Sequence, residues 1–174
     1  MLKTLLLVLC LGLASCSQVD VHTYSETTPK LDLREFFNGE VEAWGMFQKR
    51  SGEVVTRFHV DIQGHLEGEQ LILDETFSYS DGTTQKRIWT LTPTGASQWR
   101  GTADDVVGEA TGEVSGNAFH WRYVLSLPVG DSVYDVHLDD WMYLLDENTM
   151  ANRSFMSKFG VEVGQITLFF RKKT

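Results

Sequence analysis

Residues 118–127 read AFHWRYVLSL, and their apolar side chains fall on every second position. Because successive side chains of a β-strand point to opposite faces, this alternation predicts a strand with one wholly apolar face. The opposite face is mixed, with His120 and Arg122 among its residues. Pro128 cannot donate a hydrogen bond to a sheet, so we expect the strand to end there. The apolar row consists of Phe119, Trp121, Tyr123, Leu125 and Leu127.

On both sides of this strand the sequence continues in short runs with β-type alternation. Asp81-Gly82 and Gly116-Asn117 are two-residue hairpin signals, and turn signals recur every ~8–12 residues. Helical periodicity is nearly absent, although residues 31–37 are predicted to form a short helix or, alternatively, a plug that packs on the domain. The other predicted strands begin at Gly39 and include residues 54–63, 71–79, 84–92, 99–103, 109–114, 133–145, 150–159 and 161–170.

Such a chain of hairpins has to protect its two outermost strands. Strands joined by tight turns are antiparallel, and closure into a barrel removes the exposed edges of a long meander. We therefore predict an all-β fold, an antiparallel up-and-down β-barrel of about ten strands that is similar to lipocalins in architecture. The last strand is expected to pair with the first, and a β-sandwich is the alternative.

The N-terminus has the features of a bacterial secretory signal. Lys3 precedes the apolar residues 5–13, a run too short to span a bilayer, which needs roughly 20 residues. Leu13-Ala14-Ser15-Cys16 resembles the lipobox of bacterial lipoproteins, which implies that Cys16 is lipidated and begins the mature chain. We expect a signal peptide over residues 1–15, a lipidated cysteine and flexible stalk over 16–30, and a barrel domain over 31–174.

The composition restricts the partners of the protein. The chain is 42% hydrophobic and 22% charged, as globular domains are, and its net charge of −9 argues against nucleic acid and against electrostatic adhesion to anionic lipid. The lipid on Cys16 would therefore hold the protein on the membrane. Because Ser17 rather than aspartate follows Cys16, the resemblance to enteric lipoproteins implies the outer membrane, facing the periplasm.

The chain offers few residues for catalysis or for cofactors. Its two cysteines, Cys10 and Cys16, leave no pair for a disulfide or a thiolate metal site in the folded domain. The five histidines lack metal-ligand spacing, and a Gly-x-Ser-x-Gly elbow is absent. We predict no catalytic residue, no metal and no cofactor. The sequence does not indicate an oligomeric state.

Acidic residues provide one candidate polar site. Asp135, His137 and Asp139 share one face of a predicted strand, where they could bind a divalent ion or transfer protons, although such a row is more often a solvated face.

Two acidic pairs, Asp104-Asp105 and Asp139-Asp140, point to opposite faces because their members are adjacent on the chain. Buried charges persist only when they are paired. One member of each pair is therefore expected to be buried and to pair with Arg87, Arg122 or Arg153.

The apolar rows leave three possibilities for the barrel interior. It is a packed core, an apolar ligand cavity or a polar site, since a barrel of about eight strands either fills its lumen with side chains or holds one small ligand. The candidate pocket residues are mainly aromatic: Trp44, Phe58, Trp89, Trp121, Tyr123, Trp141 and Arg153.

A set of short motifs runs through the whole predicted domain. It includes Ala43-Trp44-Gly45, Arg87-x-Trp89, Gly116-Asn117-Ala118 and Asp140-Trp141-Met142. As a set, and over residues 31–172, these motifs resemble the DUF3833 family of proteobacterial lipoproteins. The resemblance implies a lipid-anchored envelope protein and supplies no activity. The expected barrel is also similar to lipocalin-like ligand carriers, but it departs from them in the first strand, where those carriers have Gly-x-Trp.

The sequence is compatible with three functions. The first is a binding module that takes up a hydrophobic or lipid-like molecule, which the membrane tether and the aromatic rows favour. The second is a structural or interaction protein of the envelope. The third is an enzyme that acts on lipid-like substrates through Asp135, His137, Asp139 or Arg153.

Overall fold

The computed structural model describes residues 19–173, and ten antiparallel strands make up most of them. The strands close into a barrel in the order β1-β10-β9-β8-β7-β6-β5-β4-β3-β2. The predicted barrel is confirmed, and the sandwich alternative is wrong. The strands are β1 (Gly39–Lys49), β2 (Val54–Glu67), β3 (Gln70–Tyr79), β4 (Thr84–Pro93), β5 (Gln98–Thr102), β6 (Ala110–Ser115), β7 (Ala118–Val129), β8 (Ser132–Leu144), β9 (Thr149–Lys158) and β10 (Val161–Lys172).

The barrel closes where the last strand meets the first. β1 pairs with β10 from Val41 opposite Lys172 to Lys49 opposite Gly164. This confirms the expected pairing of the two outermost strands, and it leaves neither of them with an open edge. All other neighbouring strands in the barrel are consecutive in the sequence, and each such pair is joined by a hairpin turn or a short loop.

Strand β7 runs slightly further than predicted. It includes Pro128, which lies opposite Val133, and the two-residue turn follows after the pair Val129 and Ser132. The pair next to a two-residue turn is hydrogen-bonded, so Pro128 occupies a non-bonded position of the ladder. Its missing N–H therefore removes nothing from the pairing with β8.

A short helix closes one end of the barrel. Helix α1 (Leu33–Phe37) begins at Asp32, whose side chain accepts hydrogen bonds from two backbone N–H groups of the first turn. Leu33, Phe36 and Phe37 are buried. A side chain at Gly64 would lie 1.7 Å from the carbonyl oxygen of Phe37, so glycine is what lets the helix approach β2. The predicted short helix is confirmed. Within residues 19–173, no helix is long and apolar enough to cross a bilayer.

Residues 19–30, which were predicted to be part of a flexible stalk, pack on the outer wall instead. Val21–Tyr24 form a 3₁₀ helix in which Val21 is buried. The Tyr24 ring makes edge contacts with Trp141 and Tyr143, at centroid distances of 6.1 and 5.3 Å. The prediction failed because these contacts come from residues more than a hundred positions away, and the polar segment shows no periodicity of its own.

Candidate ligand cavity

The lumen contains a cavity of about 120 Å³. Most of its lining is apolar or aromatic, with side chains from strands on all sides of the barrel. An engineered apolar cavity of about 150 Å³ binds benzene, whereas drug-sized ligands occupy roughly 300–1,000 Å³. The cavity therefore suits a ring-sized group or the end of a chain rather than a whole lipid.

The cavity occupies only part of the lumen. A second group of apolar side chains, Leu125, Val136, Leu138 and Met156, packs together with partly buried neighbours such as Phe47. The interior thus combines a packed core with a small cavity.

Four of the seven predicted pocket residues line this cavity. They are Phe58, Trp89, Trp121 and Tyr123. Trp89 makes edge contacts with Trp121 and Tyr123, at centroid distances of 5.8 and 5.4 Å, so the three rings form one aromatic wall.

The other three predicted pocket residues lie on the outer face, and their placement in the pocket was wrong. Trp44 is 43% exposed and lies beside His59, while Trp141 is covered from outside by Tyr24. Arg153 is exposed and donates to Gln165 over 3.0 and 3.2 Å. Each follows an inward-facing residue on its strand, and adjacent residues on a strand face opposite sides.

A group of polar side chains interrupts the apolar lining. Glu75, Arg87, Asp140, Asn152 and Ser154 all line the cavity, and all of them except the half-buried Arg87 are buried. Glu75, Asn152 and Ser154 were not among the site residues predicted from the sequence. Their positions offered a signal: Glu75 stands at an inward position between Leu73 and Phe77, and Asn152 and Ser154 stand between the inward residues Met150 and Met156.

Arg87 is held by a carboxylate from the segment between β5 and β6. Its Nε lies 3.0 Å from both carboxylate oxygens of Asp105, and its Nη2 donates to Oδ2 over 2.6 Å. This confirms the expectation that one member of the Asp104-Asp105 pair binds an arginine. Burial opposes the charge on Arg87, but the hydrogen bonds to Asp105 and the charge of Glu75 outweigh burial and raise the pKa of the guanidinium.

The ion pair also bridges a gap in the wall. Strand β5 pairs with β4 only over Thr90–Pro93, beyond Arg87. Asp105 belongs to a segment that joins β7 instead, where its carbonyl oxygen accepts from the N–H of Ser126 over 2.8 Å. The side chains of Arg87 and Asp105 therefore connect β4 to this segment, at a level of the barrel that the described backbone hydrogen bonds between β4 and β5 do not reach.

Two carboxyl groups face the cavity from opposite walls. Glu75 lies on β3 and Asp140 on β8, five strands apart in either direction around the ring. Burial raises the pKa of Glu75 to about 7, against the opposing charge of Arg87. Burial likewise raises the pKa of Asp140 to about 7, although a hydrogen bond from Asn152 lowers it. Near neutral pH both groups are partly protonated.

A buried hydroxyl adds to this polar group. The Oγ atom of Ser154 is buried, and within residues 19–173 it has no hydrogen-bond partner. Buried polar groups in proteins are nearly always hydrogen-bonded, because an unpaired one costs free energy. Ser154 lines the cavity, so a polar group of a ligand could bind to it there.

The predicted polar row on β8 lies on the outer wall, away from the cavity. Asp135 and His137 are exposed. The Asp139 carboxylate contacts the Nε2 atom of His120 at 2.7 Å, accepts from the indole of Trp141 over 3.0 Å and lies 3.5 Å from Arg122. In the described part of the chain, no group of three His, Cys, Asp or Glu residues could hold a metal ion. Cys16 lies outside the described residues.

Comparison with known proteins identifies the family. The sequence model described as "Protein of unknown function (DUF3833)" matches residues 10–172, and the chain belongs to that family. No curated protein matches the sequence.

Two solved structures share the fold. One is an S-type phycobiliprotein lyase from Guillardia theta, with a TM-score of 0.58 and 10% identity over 83% of this chain and 94% of that one. The other is a protein of the DUF3598 family from Nostoc punctiforme, with a TM-score of 0.57 and 12% identity over 84% of this chain. This chain spans 51% of the Nostoc protein. At these identities the likeness concerns the barrel architecture.

Proposed function

We propose that this member of the DUF3833 family binds a small hydrophobic molecule inside its barrel. The observation that supports this most directly is the cavity, whose aromatic wall lies beside the Ser154 hydroxyl, a group without a hydrogen-bond partner in the described part of the chain. Apolar walls with a few converging polar groups are typical of small-molecule sites. The tight packing of the rest of the lumen restricts the ligand to a ring or a chain end.

Ligand entry can be tested with benzyl alcohol as a ring-sized probe. We expect it to change the fluorescence of Trp89 and Trp121 in a saturable way. Ser154→Leu should abolish this response, because an isobutyl group would project into the cavity. Ser157→Leu on the same strand is the control, since Ser157 lies on the outer face and should leave the response intact. An unchanged response in Ser154→Leu would contradict binding in the cavity.

The proposal includes a lipid anchor at Cys16. The lipobox-like Leu13-Ala14-Ser15-Cys16 supports it, and several acyl chains together would hold a protein stably on a membrane. We expect Cys16→Ser to abolish incorporation of a labelled fatty acid and to release the protein from the membrane fraction. Cys10→Ser, in the apolar part of the signal, should preserve both. Labelling that persists in Cys16→Ser would refute the anchor.

A second candidate function is contact with a bilayer through the hairpins at the end of the barrel opposite α1. Val129, Val133, Phe159 and Val161 are each more than half exposed there, and Phe159 is 91% exposed. The ammonium group of Lys158, next to Phe159 in the same hairpin, lies 3.7 Å from the centre of the Tyr134 ring. In the Cys16→Ser background, which lacks the proposed anchor, Phe159→Ser should weaken co-sedimentation with phosphatidylcholine vesicles, whereas Ile88→Ser on the side wall should not. Equal co-sedimentation of the two variants would contradict the contact with a bilayer.

A further inference from the structure

The cavity contains more acidic groups than basic ones. Among its lining residues, Glu75 and Asp140 are acidic and Arg87 is basic. The positive charge of Arg87 already offsets two acidic groups, because Arg87 forms an ion pair with Asp105 and lies opposite Glu75 in the pairing of β3 with β4. Arg87, the one basic residue among the described residues that line the cavity, is therefore already engaged.

Asp140 is the carboxyl group without a cation. Its Oδ1 accepts a hydrogen bond from the amide of Asn152, and that amide also donates to the carbonyl oxygen of Trp141 over 3.1 Å. Within residues 19–173, no lysine, arginine or histidine forms an ion pair with Asp140. Asp140 is 5% exposed, and an isolated buried carboxylate is costly unless a cation or several donors approach it.

The aromatic wall is suited to a positive charge. Ammonium groups bind over the faces of tryptophan and tyrosine rings, most strongly where water is excluded. Trp89, Trp121 and Tyr123 line the same cavity as the two carboxyl groups. The lumen already contains one such contact, since the guanidinium of Arg87 lies 5.3 Å from the centre of the Phe77 ring.

We propose that the cavity selects a small amine, with its ammonium group between Asp140 and Glu75 and its apolar part against the aromatic wall. This inference rests on the proposed ligand-binding function and specifies the class of ligand. An ammonium group would supply the missing positive charge and donate hydrogen bonds to Asp140, and Ser154 could accept a further one. A carboxylate of the same size would meet two acidic groups, with Arg87 already bound to Asp105.

The test compares three probes that share one ring. Benzylamine, benzyl alcohol and benzoate differ only in the head group, so their affinities separate the contribution of charge from that of the ring. We use the full chain in lipid nanodiscs and isothermal titration calorimetry, with empty discs as the blank. Benzylamine should bind about tenfold more tightly than benzyl alcohol, the value of one charge-assisted hydrogen bond, and benzoate should bind most weakly.

Two neighbouring aspartates provide the matched variants. Asp140→Asn keeps the shape of the side chain and removes its charge, so it should weaken benzylamine binding about tenfold and change benzyl alcohol binding little. Asp139→Asn removes a charge one residue away on the outer face and should preserve the preference for the amine. Circular dichroism checks that both variants are folded.

The outcomes separate this inference from the proposal on which it rests. Benzoate or benzyl alcohol binding as tightly as benzylamine would overturn the selection of amines and leave ligand binding in place. If Asp140→Asn prefers benzylamine over benzyl alcohol as strongly as the unaltered chain does, Asp140 is not the group that binds the ammonium. Failure of all three probes to bind would overturn the proposed function itself.

Discussion

Two adjacent aspartates show how strongly one position along a strand changes the chemistry of a side chain. Asp139 lies on the outer wall, where Arg122 and His120 surround its carboxylate. Asp140 lies in the lumen, and burial raises its pKa to about 7. The same alternation explains why predicted pocket residues such as Trp44 and Trp141 lie outside. Their aromatic side chains suggested that they line a pocket, but the odd or even position of a residue along its strand decides whether it faces the lumen or the outside.

The pKa of Asp140 predicts how stability depends on pH. A carboxyl group whose pKa rises on folding stabilises the folded state fully below its unfolded pKa, and this contribution is lost as the pH rises to the folded pKa. For Asp140 that range runs from 3.8 to about 7, which corresponds to a loss on the order of 4 kcal/mol. Asp140→Asn has no such loss, since its amide is neutral and its oxygen can still accept from Asn152.

Urea unfolding at about pH 5 and about pH 8 measures this effect. The free energy of unfolding of Asp140→Asn should fall less between the two pH values than that of the unaltered chain. Asp139→Asn should keep most of the decrease, because burial, the largest cause of the raised pKa of Asp140, is unchanged in it and only the smaller contribution of the Asp139 charge is lost. If the pH dependence of Asp140→Asn equals that of the unaltered chain, the carboxyl of Asp140 does not titrate as described.

At the scale of elements, the hairpins were predictable and the N-terminal segment was not. Turn signals such as Gly116-Asn117 lie between strands with clear alternation, so local sequence determined where the strands begin and end. The docking of the 3₁₀ helix depends instead on the space above Gly116 and on a ring contact between Tyr24 and Trp141. No local pattern encodes a contact of that kind.

Gly116 and Gly130 provide a matched test of this docking. Both glycines have φ of +58°, so replacement by alanine costs each about 1–2 kcal/mol of backbone strain. At Gly116 the new methyl group would also lie 1.7 Å from the carbonyl oxygen of Tyr24, whereas at Gly130 it would meet nothing within 4 Å.

Thermal unfolding is the measurement for these two variants. Gly116→Ala should lower the free energy of unfolding by at least about 2 kcal/mol more than Gly130→Ala, because the N-terminal segment must move away from the barrel. Trypsin should then cut the segment at Lys30 faster in Gly116→Ala. Equal stability of the two variants would show that the segment does not depend on its contact with the turn.

At the scale of the whole molecule, the barrel is a packed core with one small polar-lined cavity. The sequence predicted the closed meander, because about ten alternating runs and their turns leave few other ways to bury the apolar rows. It left open whether the interior is packed or hollow, since cavity volume depends on how side chains from different strands meet. The charged lining depends on the same cross-strand contacts, as between Arg87 and Asp105.

The most direct test of the central claim is native mass spectrometry of the full chain isolated by gentle extraction from the cells that produce it, with Ser154→Leu prepared in parallel. The unaltered protein should retain a small molecule that is released on unfolding, and Ser154→Leu should not carry it. If both proteins carry the same molecule, or if neither shows mass beyond that of the chain with its covalent modifications, the cavity does not bind a ligand.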